Sequence, residues 1–63
     1  MGEAYWAEVD IDEVVDVREE AIQVDVGDQL VWLPRSCVRG WEDLQGSGTI
    51  EIVERVAIKK ELV

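Results

Sequence analysis

The stretch from Ala21 to Leu33 constrains this chain more than any other part of it. Ile22, Val24 and Val26 alternate with Gln23 and Asp25, the period of a strand with one buried face. Gly27-Asp28 follows, and a second apolar run, Gln29 to Leu33, comes straight after. Two such runs separated by a two-residue Gly-containing link predict a tight β-hairpin, with glycine supplying the positive φ that the turn demands. Leu30-Val31-Trp32-Leu33 is apolar at every position, so the spacing predicts a central strand covered on both faces, with Trp32 in the core. Pro34 has no N–H to give and ends the pairing. Ser36, just beyond, is placed to hydrogen-bond a nearby backbone N–H.

Strand periodicity recurs on either side. From Ala4, the residues Tyr5, Ala7, Val9 and Ile11 fall on one side and Trp6, Glu8, Asp10 and Asp12 on the other. The Asp12-Glu13 pair shifts the phase before Val14, Val15 and Val17, which predicts a bulge or short turn there. Arg39 to Ser47 reads as a polar loop anchored by Trp41 and Leu44. Gly48 to Val53 resumes alternation with Ile50 and Ile52 inward. Residues 54 to 62 fit a helix or a further strand. The helix is preferred, with Glu54 at its start, Lys59-Lys60 near its end and Ile58 and Leu62 on one face. The pattern predicts a mainly β domain spanning 1–63: a small antiparallel sheet of four or five strands, curled toward an SH3-like or OB-like barrel, with a short C-terminal helix.

Sixty-three residues allow one domain with a thin core. Cys37 is the only cysteine and there is no histidine, so neither an internal disulfide nor a Cys/His zinc site is available as a staple. Chains of this size without a staple often gain stability by association. The lone cysteine fits a reducing compartment. Neither a basic, apolar leader nor a membrane-length apolar run is present, and the expectation is a cytoplasmic protein that engages no membrane.

Charge is distributed unevenly. The chain has 15 acidic and 6 basic residues, a net charge of -9. The whole excess lies before residue 29, where ten acids meet Arg18 alone; beyond it acids and bases balance. Such a surface repels phosphate backbones, which argues against direct nucleic-acid binding, and attracts a basic protein partner. Ordinary solubility charge on the solvent side of a sheet is the alternative.

Catalytic equipment is not evident. A nucleophile beside a base is missing, and carboxylates need a cleft deeper than a chain this short readily builds. Asp10, Asp12, Glu13 and Asp16 resemble a calcium loop only loosely, lacking its glycine. No phosphate-binding or dinucleotide glycine motif occurs. The expectation is a non-enzymatic protein without cofactor or metal. Trp6, on the polar face of its strand, and Trp41, in a loop, suit a contact surface or the capped ends of a small barrel.

Three segments carry a resemblance: Ala21-Ile22-Gln23-Val24-Asp25-Val26, Val31-Trp32-Leu33-Pro34-Arg35-Ser36 and Gly48-Thr49-Ile50-Glu51-Ile52. With them, residues 14 to 62 resemble a group of short uncharacterised proteins from bacteriophages and other mobile elements. The shared pattern runs "AI-x-V-x-I", a turn, "VW-I-P-K-S", an acidic loop and "GTLEIP" before a short helix. Val53 departs from its usual proline, Arg55 from a common tryptophan and Ile58 from a polar residue. The resemblance implies a cytoplasmic phage-type accessory protein.

The function expected from these readings is protein binding. An acidic face would mimic nucleic acid toward a basic host or phage protein, as an anti-defence inhibitor does. The candidate partner-binding residues are Trp6, Glu8, Asp10, Asp12, Asp16, Glu20, Asp25 and Trp41. Two alternatives stand beside it. One is a self-assembling or ligand-sequestering homo-oligomer joined through exposed aromatics. The other is a single-stranded nucleic-acid module that stacks bases on Trp6 or Trp41 beside Arg35, Arg39 and Arg55.

Overall fold

The computed structural model describes residues 5–63; the expected start of alternation at Ala4 lies outside them. Six strands and one helix follow: β1 (Trp6–Ile11), β2 (Glu13–Val17), β3 (Ala21–Val26), β4 (Gln29–Pro34), β5 (Val38–Arg39), β6 (Gly48–Val53) and α1 (Glu54–Lys59). A single 3-10 turn, Arg35–Cys37, links β4 to β5.

The strands form two antiparallel three-stranded sheets, ordered β1-β6-β5 and β2-β3-β4. The β3–β4 hairpin is where alternation places it. Val26 pairs with Gln29 across Gly27, which holds a φ of +63°, and Val24 faces Val31. Asp28 is not in the left-handed region, so only the first turn residue has positive φ, the signature of the type II′ hairpin turn.

A corner at Asp12 splits what the sequence presents as one strand. Val9 and Ile11 are buried before it, while after it Val14 packs inward and Val15 and Val17 are exposed. The phase shift anticipated at Asp12-Glu13 is therefore real, and a further bulge lies between Val14 and Asp16. Asp12 secures the corner twice. Its N–H donates to the Asp25 carbonyl at 2.7 Å, and its Oδ2 accepts from the Gly27 N–H at 3.0 Å. The corner and the brief β5 raise the strand count to six, where four or five were expected. The two sheets do not close into a barrel.

The inner faces of both sheets share one core. Val9, Ile11, Ile50, Ile52 and Val38 come from one sheet and Ile22, Val24, Val31 and Leu33 from the other, with Ala57 of α1 beneath them. Ile50 and Ile52 point inward as alternation requires, and Trp41 and Leu44 pack on the core from the loop. Cys37 is half-buried; Ser36 Oγ meets its Sγ at 3.8 Å instead of a backbone N–H.

Two expectations need correction. β4 is an edge strand, not a central one: it pairs with β3 alone, and Leu30 is 58% exposed. Trp32 is 38% exposed and lies outside the core. Its outward face carries no second layer; the Arg18 guanidinium covers it instead, 5.6 Å from the ring centroid. The C-terminal segment is helical, yet its inward residues are Ala57 and, in part, Val56, while Ile58 is exposed. Leu62 does pack on the core, from beyond the helix end.

Candidate functional site

The candidate acids decorate two separate faces. On the outer face of the first sheet, Glu8 stands directly opposite Glu51 and Asp10 opposite Thr49. Thr49 Oγ1 donates to Asp10 Oδ1 at 2.7 Å, and Arg39 Nε donates to Glu51 Oε1 at 2.8 Å. The Arg39 guanidinium also lies 4.1 Å from the Trp6 ring centroid. Trp6, Arg39 and Glu51 thus make one packed polar row, with Glu8 beside it.

On the outer face of the second sheet, Glu13 stands opposite Asp25, and Asp25 opposite Leu30. Asp16 stands opposite Gln23, which stands opposite Trp32. Arg18 spans that row, its Nε 2.9 Å from Asp16 Oδ2 and its guanidinium over Trp32. Like charges directly opposite one another on a sheet destabilise it. Among the described residues no lysine or arginine comes within ion-pair distance of Glu13 or Asp25.

The other candidates are placed differently. Asp12 sits at the corner between the sheets, and its carboxylate holds the Gly27 turn, a structural task. Glu20 lies in the turn before β3, on the rim of an open groove of about 500 Å³. That groove runs between β4 and α1 and is lined by Ala21, Trp32, Pro34, Val56, Lys59 and Lys60. Trp41 is half-buried against the core, with the Arg35 guanidinium 5.2 Å from its ring centroid. Arg35 Nη1 also donates to the Arg18 carbonyl at 3.3 Å.

Each tryptophan is therefore paired with an arginine. The sequence left Trp6 and Trp41 open between a contact surface and a capping role; Trp41 packs on the core, and the guanidinium partners of both come from segments that no local pattern reveals. The residues missed were Glu13 and Glu51, whose cross-strand partners set them among the other acids. Glu51 was legible as outward-facing, and Glu13 was obscured by the phase shift beside it.

Among the described residues no cluster of three His, Cys, Asp or Glu side chains is arranged to hold a metal ion. Among them too, no helix is long and apolar enough to cross a membrane. No family model, curated protein or solved structure matches this chain.

Proposed function

We propose that this chain is a phage-type accessory protein that acts by binding a basic host or phage protein, without catalysis. Its acidic outer faces stand in for a nucleic-acid backbone in the partner's groove. The observation that carries this reading is the directly opposed Glu13 and Asp25, held on a sheet face without a neighbouring cation. A sheet selected for stability alone has no use for that arrangement, since either carboxylate can be exchanged for lysine with a gain from the cross-strand pair. Glu8, opposite Glu51, adds to it on the other face. Cytoplasmic action follows from the same reading.

The single-stranded nucleic-acid alternative is weakened by the pairing of Trp6 with Arg39 and Trp41 with Arg35, since those guanidinium groups occupy the rings a base would need. The test is competition. Bait protein captures basic proteins from host lysate, each capture is identified, and duplex DNA is then titrated against the complex. The proposal expects a nucleic-acid-binding partner displaced by DNA, and lost when Glu13→Gln and Asp25→Asn are combined. A partner that binds DNA and the chain simultaneously overturns the mimicry.

A further inference from the structure

Among the described residues four strand edges are open to pairing, and three of them are guarded. β5 is only two residues long. The outer edge of β2 carries Glu13 and Asp16 and a bulge, and β1 carries Glu8 and Asp10. Short strands, charges and bulges are the devices that keep sheet edges from pairing with other chains. β4, Gln29-Leu30-Val31-Trp32-Leu33-Pro34, has none of them except the proline at its end, and it bears no charge in a chain that is 33% charged.

The pairing pattern shows which groups that edge presents. A two-residue hairpin makes Val26 and Gln29 a hydrogen-bonded pair, so the pairs alternate from there. The Asp25 carbonyl, accepting from Asp12 N–H, points away from β4, and the Ala21 carbonyl does the same toward Arg18 N–H. Residues opposite these, Leu30 and Pro34, therefore turn their own backbone groups away from β3, and Trp32 between them shares that direction. The N–H and C=O groups of Leu30 and Trp32 face the open edge, and no described strand pairs with them. Pro34 falls where its missing N–H would also have faced outward.

We infer that the β4 edge pairs with β4 of a second copy, antiparallel about a two-fold axis at Val31. In that register Leu30 meets Trp32 of the second copy in a hydrogen-bonded pair, and the symmetry repeats it. The exposed Leu30 and Trp32 side chains then cover each other on the continuous outer face of a six-stranded sheet. Charge favours this orientation. One end of β4 adjoins Asp28 and Asp25, and the other adjoins Arg18, Lys59 and Lys60, which outnumber Glu20 around the groove. Antiparallel pairing sets Asp28 of each copy opposite Pro34 of the other, at the groove that Lys59 and Lys60 line; parallel pairing would set like against like.

At physiological salt, screening acts over about 8 Å, so contacts along the seam count for more than repulsion between distant acids. An interface of one six-residue strand and a turn lies at the small end of specific interfaces, and a weak, concentration-dependent dimer follows. Glu13 and Asp25 share this sheet's outer face with Leu30, but self-association is read from the mass of the chain alone and partner binding from capture, so the two readings can fail separately.

Sedimentation equilibrium of the full chain, from low micromolar to millimolar concentration, tests it. The expected result is a shift from 7.1 kDa toward twice that mass. Leu30→Lys, at an exposed position, should abolish the shift while the circular dichroism spectrum and melt stay native. Asp28→Lys alone, and Lys59→Glu with Lys60→Glu, should each raise the dissociation constant by roughly tenfold, and the three together should restore it. A chain that stays monomeric throughout overturns the inference, as does a dimer that survives Leu30→Lys or charge reversals that fail to compensate. A monomer whose β4 accepts only a foreign extended peptide, seen as amide shifts at Leu30 and Trp32, overturns the second copy as occupant.

Discussion

Leu33 and Trp32 are adjacent, yet they contribute to the fold in different ways. Leu33 is fully buried between the sheets, and Leu33→Ala removes contacts that the thin core cannot replace, at a cost of about 2–5 kcal/mol. A domain of this length holds only about 3–9 kcal/mol of stability in all, so that variant should be close to unfolded at room temperature. Trp32 rests on the sheet's outer face beneath Arg18, and a stack of that kind at an exposed site contributes about 0.5–1 kcal/mol. Trp32→Ala should therefore cost roughly 1–2 kcal/mol, well short of the roughly 3–5 of a core tryptophan. Urea denaturation of both variants in dilute solution checks the order; a Trp32→Ala midpoint below that of Leu33→Ala would contradict the placement of both residues. Periodicity ranked them alike because it counts apolar positions and cannot know whether a second layer lies above each.

Hairpin β3–β4 and the inward faces of β1 and β6 were legible because their determinants are local: Gly27 in a two-residue turn, and strict alternation on one face. The position of β4 at an edge was not, since a strand apolar on both sides reads as central until the rest of the chain is seen to leave one side open. Nor was the division of the acids between two faces, which follows from the corner at Asp12. The start of α1 falls at Glu54, as the charge pattern led one to expect, but no local cap fixes it. Val53 offers no side-chain cap, and the first helical N–H, of Glu54, is bonded at 2.7 Å to the carbonyl of Tyr5, a residue far off in sequence. The helix end is more revealing. Glu61 has a φ of 61°, its N–H donates to the Ile58 carbonyl at 3.0 Å, and the Leu62 N–H donates to the Ala57 carbonyl at 2.8 Å. These are the two bonds of a Schellman motif, in which glycine is the usual residue at the left-handed position. A side chain there costs about 1–2 kcal/mol, partly offset by the greater freedom glycine has when unfolded. Glu61→Gly should raise stability by about 0.5–1 kcal/mol, seen as a thermal midpoint several degrees higher. An unchanged or lower midpoint would mean that the chain leaves the helix by another route.

Taken whole, the molecule carries its charge excess along the bent strand β1–β2 and the hairpin that follows. If a basic partner meets that surface, its association rate should fall steeply with salt while dissociation changes little, because exposed charges act mainly on encounter. Glu8→Gln with Glu13→Gln and Asp25→Asn should slow association without altering the fold, whereas Asp12 must be left alone because it holds the Gly27 turn. Stopped-flow or surface-binding kinetics at several ionic strengths separate the two rates; equal effects on both would contradict steering by these acids. The pairing of β1 with β6 has a consequence of its own. Trp6 lies against Val53 and Ile11 against Gly48, so β1 is completed by a strand far from it in sequence. The β3–β4 hairpin joins neighbours in sequence, whereas the β1–β6 pair must close the long loop between Ile11 and Gly48, at a greater cost in chain entropy. A fragment that lacks β6 therefore leaves β1 without a strand partner and takes Ile50 and Ile52 out of the core that Val9 and Ile11 share.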